Sequence, residues 1–545
     1  MSRTYDNFAD LITFSRASRG TSVRRVRYGD ELVTNGTFDS DVSGWNLMNA
    51  NNILSWNASG YMDLERTPTG STSVTNQNLT ALVSGSLYVV EFEIISTSLT
   101  VNLELYDTNG ARKVDILASA SGVYNHTFLA TADGVPELRI LLQGASSGTA
   151  TIDNISLKQF TLDDPDDPLL IYNHFDNEPR IDFDPVTGDR KGLLIEEART
   201  NLITDSEVLD ADSSEYTGKN LSATDPGIQD GTLAPDGVTQ AYFSLESDAL
   251  TSQERRLEVD NFLPTTSTTY TLSVFAKVKT DHVRRLGFRG FGAGSQNTYP
   301  VFDLVNGTVV NAGSSWSNTQ IEDYGNGWYR CSSTVATASA NSPLLHILAD
   351  DADGSGTFYV GDTEGGLYLW GLQVEEGSFP TSYIPTSGST VTRSVDVASI
   401  ATSAFGFNED EGTVFAEGRT SSSLISALFT INDNSVNNRI SQRLTGSNVQ
   451  AFIMDGGTAQ ASINVSNHII GSFSKSALAY QENNFNNASQ GTLGTADTSG
   501  TVASSLTQIE LGTSRSPSNM LNGHIKKIQY FPRRLSDTEL QEITS

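Results

Sequence analysis

From Glu31 onward the chain alternates apolar and polar residues in short runs. Tyr88-Val89-Val90-Glu91-Phe92-Glu93-Ile94 and Val101-Asn102-Leu103-Glu104-Leu105-Tyr106 keep a period of two, the spacing of a strand with one buried face. The first such segment begins at Leu32-Val33-Thr34-Asn35-Gly36-Thr37-Phe38, and the alternating run Ala150-Thr151-Ile152-Asp153-Asn154-Ile155-Ser156-Leu157 closes the series about 120 residues later, a span that fits one β-sandwich. A second sandwich is expected over 201–388, with Tyr270–Val278 as a central strand and Gly366–Val374 as its last. The two stretches look like diverged copies of one plan. A third strand-rich region follows, opened by Gly412–Glu417 and closed by Gly523–Phe531. The clearest helix start is at the end, where Ser536 precedes Glu539 by three residues in a capping-box spacing.

The pattern therefore predicts an all-β, multidomain chain of tandem antiparallel β-sandwiches of the jelly-roll kind, and 545 residues is ample for several such cores. Between the first two, Asp163-Asp164-Pro165-Asp166-Asp167-Pro168 reads as an extended hinge, because like charges repel and proline cannot join a sheet ladder.

Composition narrows the function. Only 18% of residues are charged, and 34 Lys+Arg against 64 Asp+Glu leave a net charge of -30, which repels phosphate backbones and excludes nucleic acid as a partner. No apolar run reaches the roughly 18 residues of a membrane helix, so no membrane insertion is expected. The single cysteine, Cys331, cannot form an internal disulfide. The amino terminus lacks the apolar segment of a secretory signal, so synthesis in a cytoplasm is expected. Against the acidic background, Arg16, Arg19, Arg24, Arg25 and Arg27 crowd the first 27 positions and predict an attachment arm for an acidic neighbour.

Candidate chemistry favours binding over turnover. The six histidines are scattered, with neither a His-x-x-x-His nor a Cys-x-x-Cys spacing, so zinc has no seat. Glycoside hydrolysis needs two placed carboxylates, and a chain with 64 acidic residues always offers pairs, so the count selects nothing. Sugar binding needs an aromatic face beside amide or charged groups. Trp56 and Tyr61 in the first sandwich, and Trp316, Tyr324 and Trp328 in the second, are the glycan-binding candidates, whereas Trp45 and Trp370 sit at strand positions that bury an aromatic. No cofactor is expected except calcium, for which Asp350, Asp351 and Asp353 form the best oxygen cluster; the spacing falls short of an EF-hand loop.

Three strings carry a resemblance. Thr13-Phe14-Ser15-Arg16-Ala17-Ser18, the run from Pro179-Arg180-Ile181-Asp182-Phe183-Asp184-Pro185 to Gly192-Leu193-Leu194-Ile195-Glu196-Glu197-Ala198-Arg199-Thr200-Asn201-Leu202, and Gly371-Leu372-Gln373-Val374-Glu375 through Thr392-Arg393-Ser394 resemble tailed-bacteriophage virion proteins of the tail-fibre, tail-tip and head-fibre type. In that family the first two strings form a connector, followed by a jelly roll similar to carbohydrate-binding modules. The end of the chain, Tyr530-Phe531-Pro532-Arg533-Arg534-Leu535-Ser536-Asp537, is similar to the close of a concanavalin-like lectin/glucanase sandwich. Here about 150 residues separate the first two strings, which implies a carbohydrate-binding-like sandwich inserted into a small split connector domain.

The resemblance thus divides the chain into an attachment arm with the first part of the connector (1–30), the inserted sandwich (31–160), hinge and second part of the connector (161–200), a second jelly roll (201–388) and a lectin-like sandwich (389–545). It implies a non-enzymatic virion structural protein, on the tail or head surface, that adheres to host cell-surface polysaccharide and contacts other virion proteins as a homo-oligomer, with a trimer as the usual solution. A head fibre or capsid decoration, a capsule depolymerase and an architectural baseplate part are the competing expectations.

Overall fold

A computed structural model describes residues 12–79, 82–106, 112–130, 136–144, 147–174, 176–209, 216–221, 232–245, 253–260, 262, 264–279, 284–290, 299–337, 345–351, 358–359, 366–513 and 519–545. Described elements are strands apart from two short helices, Thr402–Phe405 and Asp537–Thr544. The all-β architecture of antiparallel sheets expected from the alternation is the one found. The chain divides into two compact units, one formed by 1–24 with 169–545 and the other by 25–168.

The unit 25–168 is a two-sheet sandwich. Strands Gly122–Leu129, Leu87–Thr97 and Gly148–Leu162 pair in that order, and the Ile53–Asn57/Tyr61–Arg66 hairpin joins the start of Gly148–Leu162. The facing sheet is ordered Asn46–Leu47, Ser73–Asn78, Glu137–Gln143, Thr100–Tyr106, Arg112–Ala118. Alternation does the work: Tyr88, Val90, Phe92 and Ile94 are buried, each between less buried neighbours, and they meet Val101, Leu103 and Leu105 in one core. Trp45 lies in it, 6% exposed, with its indole N–H donating to the Asn35 carbonyl at 3.1 Å. The ends of this unit bond to each other, Asp163 N–H to the Arg25 carbonyl and Val26 N–H to the Pro168 carbonyl, both at 2.9 Å. The expected sandwich at 31–160 falls within it.

In the other unit, the second jelly roll packs the Tyr242–Leu245, Gly366–Glu376, Thr269–Val278, Tyr329–Ala336, Trp316–Asp323 sheet against a sheet that includes Gln253–Val259 and Arg284–Arg289. A second apolar layer covers the other side of the first sheet, where Phe275, Trp370 and Tyr383 are buried together. The last sandwich has two seven-stranded sheets. Strands of the split connector complete both: Thr13–Ser15 pairs with Val397–Ala401 at the edge of one, and Ile181–Phe183 with Arg190–Ile195 extends the other beside Gly523–Phe531. Gly192, at φ +108, permits that approach, since a Cβ there would lie 2.3 Å from the Ile525 carbonyl oxygen. The closing helix has the expected capping box, with Ser536 Oγ accepting from Glu539 N–H.

Candidate functional site

The two connector strings and the string that closes the second jelly roll converge on a buried ion network. Arg16 comes from the first, Arg180 and Glu196 from the second, Arg393 from the third, with Asp396 just beyond it. Arg16, Arg180 and Arg393 are each no more than 1% exposed. Arg16 Nη1 lies 3.2 Å from Asp396 Oδ1, and Arg180 pairs with the other oxygen of Asp396. Arg180 Nη1 and Arg393 Nη1 reach Glu196 Oε2 at 2.8 and 2.9 Å. Ser382 closes the cluster, donating N–H and O–H to Glu196 at 2.8 and 2.7 Å.

Buried charges survive only when paired and hydrogen-bonded, and the electrostatics follow. Burial pushes the Glu196 carboxyl up, but Arg393 and Arg180 overcome it and hold the group well below the carboxylate range. For Arg180, burial is outweighed by Asp396 and Glu196, and the guanidinium is held more firmly charged. For Arg16 and Arg393 burial prevails, lowering both.

A cavity of about 320 Å³ opens beside this network, between the connector strands, the second jelly roll and the last sandwich. Asp182 and His524 line it, with His524 Nε2 2.7 Å from Asp182 Oδ2. Arg419 Nε donates to His524 Nδ1 at 3.1 Å, so the imidazole proton is on Nε2 and the ring is neutral; burial lowers its pKa in the same sense. One wall is the outer edge of Trp316–Asp323, presenting Gln320 and Glu322, followed by the half-buried Tyr324. Phe379 also lines the cavity, with Arg199 over its ring at 5.0 Å. Amides, charged groups and ring edges around one hollow are equipped to bond hydroxyls and cover C–H surfaces.

Ser22, also on the wall, lies 2.8 Å from His174 Nε2, and His174 Nδ1 lies 3.1 Å from Glu178 Oε1. This hydroxyl, imidazole and carboxylate chain has the order of a nucleophilic triad. His174 is fully enclosed, however, Ser22 also bonds the Ile181 carbonyl at 3.1 Å, and the adjacent amide, Val23 N–H, is held by Asp182 at 2.8 Å. The hydroxyl is therefore tied up in packing a buried histidine rather than presented as a nucleophile.

The sequence-predicted residues are dispersed. Tyr324 is the candidate that lines the cavity, its hydroxyl pKa pushed up by burial. Trp316 and Trp328 are core residues, 7% and 3% exposed; their ring faces are covered by protein and cannot stack on a sugar, a correction to their role as candidates. Trp56 is 39% exposed and its indole donates to the Phe38 carbonyl at 2.6 Å. Tyr61 pairs with Asn57, one residue along from the Trp56–Met62 pair, so Trp56 and Tyr61 point to opposite faces of their sheet and form no joint platform.

The basic arm is engaged internally. Arg16 is in the ion network and Arg24 lies 3.6 Å from Glu178. Arg19 is half-buried, while Arg25 donates to the Pro165 carbonyl at 2.7 Å and Arg27 pairs with Asp167 at 2.8 Å. The acidic neighbour of Arg25 and Arg27 is thus the chain's own Asp-Pro stretch, with Asp167 3% exposed. Asp350 and Asp351 end the Leu345–Asp351 strand opposite Arg285 and Arg284, and Asp353 lies outside the described residues. Among the described residues no group of three or more His, Cys, Asp or Glu side chains is arranged to hold a metal.

Fold and cavity define a multidomain β-sandwich protein with a polar hollow at the junction of its connector and two sandwiches. No family model matches the chain, and no curated protein matches it. Among solved structures it is similar to the CBM40 of a Ruminococcus gnavus IT-sialidase bound to α2,3-sialyllactose, at 17% identity over 25% of this chain and 84% of that one, TM-score 0.23. It is also similar to the tandem CBM22 domains of Paenibacillus barcinonensis Xyn10C, at 8% identity over 65% and 99%, TM-score 0.20, and to mouse laminin α1 domains LG4-5, at 11% identity over 58% and 93%, TM-score 0.20.

Proposed function

We propose that the chain is a virion structural protein of a tailed bacteriophage, a tail fibre that adheres to host surface glycan without cleaving it. One observation carries the reading: three strings resembling phage virion sequence, two of the connector and one closing the jelly roll, lie far apart along the chain yet supply Arg16, Arg180, Glu196 and Arg393 to a single ion network, as a rigid mounting element requires. Glycan adhesion rests on the adjoining hollow, whose Gln320, Glu322 and Tyr324 provide hydrogen-bonding groups beside an aromatic ring. Copies assembled on one particle would raise a weak affinity per site by acting together.

The test is to incubate the full chain with capsular or cell-wall polysaccharide from candidate hosts and follow retention and polymer length together. Retention without shortening is expected, weakened about tenfold by Gln320→Ala with Glu322→Ala. Shortening would make the protein a depolymerase. Absence of retention on a host that the phage infects would leave an architectural part, and labelled antibody on virions separates tail from head.

A further inference from the structure

On the outer face of the last sandwich one arginine differs from those in the ion network. Ile440 and Leu444 point into the core, so Arg439, Ser441 and Arg443, alternating with them, face outward. Arg443 is 7% exposed. Its guanidinium lies 3.9 Å from the centre of the Phe452 ring, with Arg439 on the same ring at 5.5 Å. Arg16, Arg180 and Arg393 each have a carboxylate partner, whereas Arg443 has none within ion-pair distance among the described residues; its Nε, like those of Arg180 and Arg393, is enclosed without a hydrogen-bond partner, and so is its Nη2. Burial, with the charge of Arg439 adding to it, pushes its pKa down to about 10. Directly across the ladder Ser441 pairs with Thr430 on one side and Phe452 on the other. Both hydroxyls are wholly buried and likewise lack partners.

An enclosed cation with no counter-charge destabilises a fold, and such groups are kept where a ligand completes them. Nε and Nη2 form the side-on edge of a guanidinium, two parallel N–H groups matched to the two oxygens of a carboxylate. The neighbouring Ser441 and Thr430 hydroxyls can also donate to an anion.

We propose that this face is a carboxylate-binding site, centred on Arg443, that takes a uronic-acid or other carboxylated sugar unit of an acidic polysaccharide. The assignment rests on the glycan-adhesion reading and adds a substrate class and a second site, since none of these residues lines the cavity. Phe452, half-buried, covers the guanidinium and must turn aside to admit the acid.

The experiment is calorimetric titration and thermal unfolding of the full chain with tetragalacturonate, with neutral maltotetraose and with acetate. Tetragalacturonate is expected to bind and raise the melting temperature, acetate at equal concentration to do so weakly, and maltotetraose not to respond to changes at Arg443. Arg443→Met should unfold no earlier than the natural chain without ligand and bind tetragalacturonate at least tenfold more weakly. Arg443→Lys, which keeps charge and loses the fork, should also lose the response, whereas Phe452→Ala should retain it. Tetragalacturonate binding equally to the natural chain and Arg443→Met overturns the site, and acetate acting as strongly as the tetrasaccharide overturns its assignment to a sugar. Retention of host polysaccharide without any response to acid sugars defeats this proposal and leaves adhesion standing; failure of all glycans defeats both.

Discussion

Glu196 neutralises two guanidiniums that water cannot reach, so replacing it costs more than its own hydrogen bonds. Glu196→Gln strands Arg180 and Arg393 in part and should destabilise the unit by about 3–5 kcal/mol, measured as a shift in urea midpoint at constant slope. The same region sets an acid limit. The depressed Glu196 carboxyl stabilises the fold above its unfolded value of about 4.3, and that contribution is lost as pH falls below it. Burial holds His174 down to about 4. Between about 6.5, where an unfolded imidazole takes its proton, and 4 the unfolded state therefore binds more protons, and stability falls as pH falls through that window. His174→Gln should flatten the decline between pH 7 and 4.5, and an unchanged slope would contradict the assignment. The sequence strings contain Arg16, Arg180, Glu196 and Arg393 but not the pairing among them, nor Asp396: Arg16 and Asp396 are 380 positions apart. Arg443 was legible only as one member of an alternating polar row, because a lack of counter-charge is a property of folded neighbours.

At the scale of elements, period-two alternation identified strands well because one face of each sheet is buried. It could not order them, since pairing depends on which distant strands share an edge. The same blindness explains Trp316: it begins its strand on the buried side, and the bulge between Ser317 and Gln320 then turns Gln320 and Glu322 outward. A local pattern of polar residues around a tryptophan does not reveal that inversion. Gly192→Ala tests the connector pairing, because the added methyl meets backbone of Gly523–Phe531 and the substituted residue must hold a positive φ. Amide exchange should rise at Leu193, Leu194 and Ile195, whose partners are Ile525, His524 and Gly523, while the 25–168 unit stays protected. The terminal helix is a milder case: Ser536→Ala removes the cap and should cost about 1 kcal/mol, read as faster exchange in 537–544.

The whole molecule is two units of unequal continuity. The 25–168 unit is an unbroken segment whose ends hydrogen-bond to each other, so expressed alone it should unfold in one cooperative transition, and a chain with it replaced by a short Gly/Ser link should keep the other unit's melting temperature within a few degrees. Calorimetry of both pieces decides this, and failure of the shortened chain to fold would mean that the insertion is a structural part of its host. The host unit, by contrast, is assembled from both sides of that segment. Its first strand, Thr13–Ser15, must wait for Val397–Ala401, and its Arg16 for Asp396. At roughly 5–20 residues per second of synthesis, those 380 positions amount to about 20–80 s. Once Pro168 has been made the inserted sandwich has everything it needs to fold, while the beginning of the host unit still waits, with a charged residue and an open strand edge unmatched, until Asp396 follows; the order of birth makes the guest domain older than its host.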